Sequence, residues 1–102
     1  MKVNAVKLNS ANVKYDNSVD TERVYDIEVD ANLRDNEVVS MDGGIVKKDG
    51  LIKASFNIYG NHQMNYSING VADVEEQCAI LVAINAFIKE VESSAEVLPF
   101  NV

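Results

Sequence analysis

Alternation of apolar and polar residues dominates the first two-thirds of the chain. Tyr25, Ile27, Val29, Ala31 and Leu33 are interleaved with Asp26, Glu28, Asp30 and Asn32. A two-residue period puts one set of side chains on a buried face and the other on a solvated face, so it predicts a half-buried β-strand. Ile52, Ala54, Phe56 and Ile58 alternate with Lys53, Ser55 and Asn57 in the same way, and Met64, Tyr66 and Ile68 repeat the pattern over a shorter span. Val6 and Leu8, then Val13 and Tyr15, read as a first strand over 3–15 whose phase shifts midway, with a bulge near Asn9-Ser10 reconciling the halves. Residues 37–47 predict a further strand or hairpin arm. Asp49-Gly50 is a hairpin-turn pair, Gly60-Asn61-His62 reads as another turn, and Asp42-Gly43-Gly44 interrupts the third segment as a turn or bulge.

Beyond Asp73 the period changes. Asp73 with Glu76 resembles a capping box, and the acids at 73, 75 and 76 suit the positive end of a helix dipole. Val74, Cys78, Leu81, Ile84, Ile88 and Val91 then recur at helical spacing, predicting one helix over 73–93 framed by Gly70 and by Ser93-Ser94. From Cys78 to Ile88 the sequence is CAILVAINAFI, in which Asn85 is the only polar residue. A helix lying on a sheet needs an apolar stripe; this one is apolar nearly all round, yet too short to span a membrane. No other long helix is available to cover its second side. The expected cover is the same helix from another copy, with Cys78, Leu81, Ile84 and Ile88 as the oligomer interface of a homodimer or tetramer. The competing arrangement is a sheet that wraps around the helix within one chain. The expected architecture is α+β: an antiparallel sheet of four to five strands followed by one long C-terminal helix packed on one face, in a single domain over 1–102.

Composition narrows the function. The chain has 102 residues, 16 acids against 9 bases, one His, one Cys and a net charge of −7. That length fits one domain. The acidic balance argues against non-specific binding to nucleic acid or anionic membrane, both of which need basic surface. One Cys excludes a disulfide framework and a CxxC-type zinc site. With no apolar leader segment the reading is cytosolic, so the acceptor pattern Asn65-Tyr66-Ser67 is taken as coincidental. The charge is blocked: residues 16–42 hold nine acids against Arg23 and Arg34, Lys47, Lys48 and Lys53 form a basic patch, and acids prevail again from Asp73.

Chemistry is sparse. No phosphate loop, dinucleotide fingerprint, HExxH or EF-hand loop occurs. Cys78, inside the apolar helix, is expected as a small buried hydrophobe, and His62 as a solvated turn residue with no second ligand to complete a metal shell. No cofactor and no enzymatic activity are expected. Strand phase places Asp26, Glu28 and Asp30 on one outward face, enlarged by Asp16, Asp20 and Glu22. Such a row is a solvated face or a docking surface for a basic partner. Phe56, Tyr59, Tyr66, Met41 and Met64 suit either a core or an adaptable groove.

Tyr66-Ser67-Ile68-Asn69-Gly70-Val71 resembles the aromatic-Ser-Ile-x-Gly-aliphatic end of the last strand in the SecB-type export chaperones and their abbreviated SecB-like relatives. Cys78 stands where that family has a Cys at the start of its long helix. Lys89-Glu90 is similar to its basic-acidic pair late in the helix, and Leu98-Pro99-Phe100-Asn101-Val102 to its segment after it. Residues 25–33 match its long second strand in pattern. Ala79 replaces the Pro that typically follows the helix Cys, and the sequence ends where the export chaperone continues into a second helix. The resemblance covers 66–102 best. It implies a sheet with the helix on one face, helix-mediated dimers pairing into tetramers, and the holding of unfolded polypeptides in apolar grooves. It also implies transfer of those clients through an acidic sheet face, a role Asp26, Glu28 and Asp30 match by position. The leading expectation is therefore a non-enzymatic SecB-like protein binding apolar polypeptide segments near Phe56, Tyr59, Met64 and Tyr66. The alternative is an acidic interaction module or inhibitor, of the kind a phage encodes, docking a basic partner through its sheet face.

Overall fold

The computed structural model describes residues 1–8, 12–60, 63–71 and 73–96. Strands β1 (Asn4–Leu8), β2 (Asn12–Asp16), β3 (Asp26–Arg34), β4 (Glu37–Lys48), β5 (Leu51–Ile58) and β6 (Met64–Ile68) precede one helix, α1 (Val74–Ala95). Every neighbouring pair is antiparallel, and the order across the sheet is the order along the chain. The class is α+β with α1 packed on one face, and the strands number six rather than four or five. The additional strand comes from 3–15. The phase shift there is a chain reversal, with Asn4 opposite Asp16 and Leu8 opposite Val13, not a mid-strand bulge. Asn9-Ser10 lies outside the described residues; the register irregularity of this pair falls between Ala5 and Lys7.

The hairpin turns follow local backbone chemistry. Asp49 and Gly50 have φ of 53° and 79°, and Asp35 and Asn36 have φ of 52° and 61°. Positive φ at both central residues gives a two-residue turn the twist that antiparallel strands need, and Asp, Asn and Gly adopt it most readily. The Asp42-Gly43-Gly44 interruption is a bulge inside a continuous β4: Gly43 has φ 65°, and the register shifts against both β3 and β5 beside it. Gly44 also lies against the Phe56 ring. A Cβ built there would stand 2.6 Å from three ring atoms, closer than carbon atoms can pack.

Helix α1 begins where the sequence predicts. Asp73 is the N-cap, its carboxylate accepting from the Glu75 N–H at 2.9 Å. The Gln77 side chain donates to the Val71 carbonyl at 3.0 Å, tying the first turn to the incoming chain. The helix continues through Ser93-Ser94, which are helical rather than framing, and ends at Ala95 with Glu96 as its C-cap. Its fully buried residues are Ile80, Ile84, Phe87, Val91 and Ala95, spaced by three or four. They meet the odd-numbered side of β3 (Ile27, Val29, Ala31) and Met41, Val46 and Phe56, all buried. Each large side chain so removed from water contributes roughly 1.5–3 kcal/mol. No described helix is long and apolar enough to cross a membrane.

Asn17 locks the segment between β2 and β3. It is 1% exposed, and its side chain donates to the Tyr25 carbonyl at 2.8 Å while accepting from the Ile27 N–H at 2.9 Å. Tyr15 is the opposite case. Its hydroxyl is buried with no hydrogen-bond partner among the described residues. Burial raises its pKa above the usual phenol value, a rise that the nearby Ser94 side chain opposes more weakly.

Two stability predictions follow from this packing. Gly44→Ala drives a methyl into the Phe56 ring and lowers unfolding free energy by about 1–3 kcal/mol in urea titrations. Tyr15→Phe removes an unpaired hydroxyl, so stability at pH 7 stays equal or rises by up to about 1 kcal/mol. The wild type loses stability as pH rises from about 10, where the unfolded phenol ionises, through the higher folded-state pKa. Tyr15→Phe removes that component of the alkaline loss in melts run across the same pH range.

Candidate functional site

The sheet carries its charge on the face turned away from α1. Even-numbered positions of β2 and β3 point there, so Asp26, Glu28 and Asp30 share one side as strand phase requires: Asp26 exposed, the other two half-buried. The register adds what the sequence does not display. Asp16 stands directly opposite Glu28, and Asp30 directly opposite Asp42. Like charges in opposed positions destabilise a strand pair. Lys14 relieves part of this, its Nζ 3.1 Å from Glu28 Oε2; that bond and the Glu28 charge raise the lysine's pKa. Arg23 bonds Asp26 at 2.6 Å, but its guanidinium also donates to the Ser18 and Asp20 carbonyls and so is held in the loop. Asp16, Asp26, Glu28 and Lys47 line a shallow polar cleft of about 310 Å³. Asp20 and Glu22 do not enlarge this face. They border a groove on the helix side, formed by the 20–25 loop against α1.

The four residues expected as a polypeptide groove separate. Phe56 is 1% exposed and belongs to the core beneath Gly44, which corrects its assignment to a groove. Tyr59 and Tyr66 are 46% and 52% exposed, and Met64 is half-buried. Tyr66 pairs with Phe56 and Met64 with Ile58, so both side chains stand on the helix face of the sheet. They remain accessible because β6 lies two strand spacings, about 10 Å, from β4, beyond the flank of one helix. Tyr59 borders a narrow cleft with Ile58, Met41 and Ile88.

The expected oligomer interface divides in the same way. Ile84 is fully buried against the chain's own sheet and is unavailable to a second copy. Ile88 packs against that core, Leu81 is half-buried, and Cys78 is exposed rather than buried as expected. The sheet does not wrap around the helix: Val74 and Val82 on α1 are each 69% exposed. Sequence reasoning missed Val82 and Val24, exposed residues that both line the helix-side groove of about 680 Å³. Periodicity marked α1 as apolar all round without telling which residues meet the sheet. His62 lies outside the described residues. Among the described residues no group of three or more His, Cys, Asp or Glu side chains is placed to hold a metal ion.

Compared with protein-family models, curated proteins and solved structures, the chain matches none.

The opposed acids give a direct test. Asp42→Asn keeps an acceptor for Asn32, which donates to Asp42 at 2.9 Å, and removes the repulsion on Asp30. Stability should rise by about 0.2–1 kcal/mol at low salt. The gain should shrink as ionic strength approaches about 1 M, where charges are screened within about 3 Å. Paired thermal melts at the two salt concentrations measure both effects.

Proposed function

We propose that the chain is a non-enzymatic polypeptide-binding protein of the SecB-like, chaperone type, acting in the cytoplasm on apolar segments of unfolded clients. The observation that carries this reading is the margin of the helix face at β6, where Tyr66 stands half exposed beside Met64; Tyr59, also half exposed, follows β5 and borders the cleft with Ile88. Tyrosine rings offer an apolar body with a polar tip, and a thioether adapts to irregular shapes. Together they accept side chains of varied form at low sequence specificity. Affinity comes from apolar area taken out of water, at roughly 25 cal/mol per Å². The order of sheet then helix and the resemblance of 66–102 to SecB-like chains support the same reading. It needs no cofactor, nucleic acid or membrane.

A second reading is favoured by the outer face. Asp16 opposite Glu28 and Asp30 opposite Asp42 keep like charges together at a stability cost that a basic partner would remove on docking. In this reading the chain is an acidic interaction module or inhibitor.

The experiment is suppression of aggregation of a chemically unfolded client. Wild-type protein should slow it at stoichiometric ratio. Tyr59→Ser combined with Tyr66→Ser should weaken client binding by about tenfold or more while the circular dichroism spectrum is unchanged. Wild-type protein that leaves aggregation untouched ends the chaperone reading. Capture of one basic protein, lost steeply with added salt, replaces it with the second.

A further inference from the structure

Among the described residues strand β6 is the outermost of the sheet, and its edge has an unusual chemistry. From Ala54 to Ala72 the sequence contains no Asp, Glu, Lys or Arg, in a chain with 25 such residues. The opposite edge, β1, carries a register irregularity between Ala5 and Lys7. Charges and irregular register are the usual means by which an edge strand is kept from pairing with another chain. β6 has neither: it pairs with β5 in unbroken register from Met64 to Ile68.

The hydrogen bonds show which groups the edge offers. The Tyr59 N–H donates to the Gln63 carbonyl at 2.9 Å, and the Asn69 N–H to the Lys53 carbonyl at 2.8 Å. In an antiparallel ladder, residues bonded to one neighbour alternate with residues directed away from it. Gln63, Asn65, Ser67 and Asn69 therefore face β5, and the N–H and C=O groups of Met64, Tyr66 and Ile68 point outward. These three side chains are also the ones on the helix face.

We infer that this edge pairs with the β6 edge of a second copy, antiparallel about a twofold axis at Tyr66, joining two sheets into one. The strand is self-complementary in that register. Tyr66 meets Tyr66 of the second copy, and Met64 meets Ile68, so every outward-directed main-chain group finds a partner and the side chains on the helix face are apolar against apolar. On the outer face Asn65 meets Ser67, an uncharged pair. A C2 contact requires this kind of like-to-like matching, whereas a foreign strand has no reason to supply it. Charge points to the same occupant. Two chains of net charge −7 repel, and the stretch without charged residues is where they approach at least electrostatic cost. The dyad also brings the two half-exposed Tyr66 rings together on one side of the joined sheet.

The test is sedimentation velocity over a wide concentration range. Wild type should form a dimer. Asn65→Asp with Ser67→Asp opposes like charges twice across the axis and should weaken the dimer by about tenfold or more. Asn65→Lys with Ser67→Asp opposes unlike charges in the same register and should restore it. Val82→Asp, on the exposed side of α1, should leave it intact. A wild type that stays monomeric overturns the inference, including one that instead pairs its edge with a foreign extended peptide. So does a dimer that survives the double Asp variant, one that the Lys/Asp variant fails to restore, or one lost through Val82→Asp. Should the strand variants not fold, hydrogen exchange on wild type decides. The Met64, Tyr66 and Ile68 amides must become protected as concentration rises, and concentration-independent exchange refutes the pairing.

Discussion

A single helix about 10 Å wide lies on a sheet whose six strands span about 24 Å. Nearly everything distinctive about this molecule descends from that mismatch. Where α1 crosses β3 and β4 the core is dry, with Ile80, Ile84, Phe87 and Val91 wholly buried. Toward β6 the cover runs out while the apolar alternation of the strand continues, so Tyr66 remains half exposed on a face that is buried elsewhere. The other side of the helix faces a comparable shortage. The chain partly fills it with the 20–25 loop, held by the Asn17 amide, and leaves a groove lined by Val24 and Val82. Exposed apolar surface here is the geometric remainder of covering a broad sheet with one rod.

Much of the fold was legible because it rests on local periodicity. The alternation of 25–33 returned β3, the Asp49-Gly50 pair returned its turn, and Asp73 marked the N-cap of α1. The misreadings arose where two physical causes leave the same trace. A phase shift between Leu8 and Val13 signals either a bulge or a reversal. Site residues were harder, since exposure depends on what lies opposite. Phe56 and Tyr66 are both aromatic residues on neighbouring strands and they pair with each other, yet one sits under Gly44 and the helix and the other beyond them. Likewise the acids were visible as a row along β3, but their opposition to Asp16 and Asp42 is a property of register, which no single strand contains.

The two faces of the sheet thus select different chemistry. The outer face over β2, β3 and β4 concentrates negative charge at contact distance, with Lys14 bridging two strands to contain it. From Ala54 through β6 the margin is free of formal charge and presents rings, a thioether and amide side chains. One surface discriminates by sign and is sensitive to salt; the other responds to apolar area and is nearly indifferent to it. A small chain can carry both because strand alternation separates them without a second domain.

The order of strands has a consequence for how the molecule forms. Every strand pairs with its neighbours in sequence, so the sheet is assembled from short-range closures, the arrangement that favours rapid folding. The helix that dries the sheet is encoded after all six strands. During synthesis the meander emerges with its apolar side open to solvent for as long as residues 74–95 remain inside the ribosome. For that interval the nascent chain itself presents the kind of open apolar surface that an unfolded client presents.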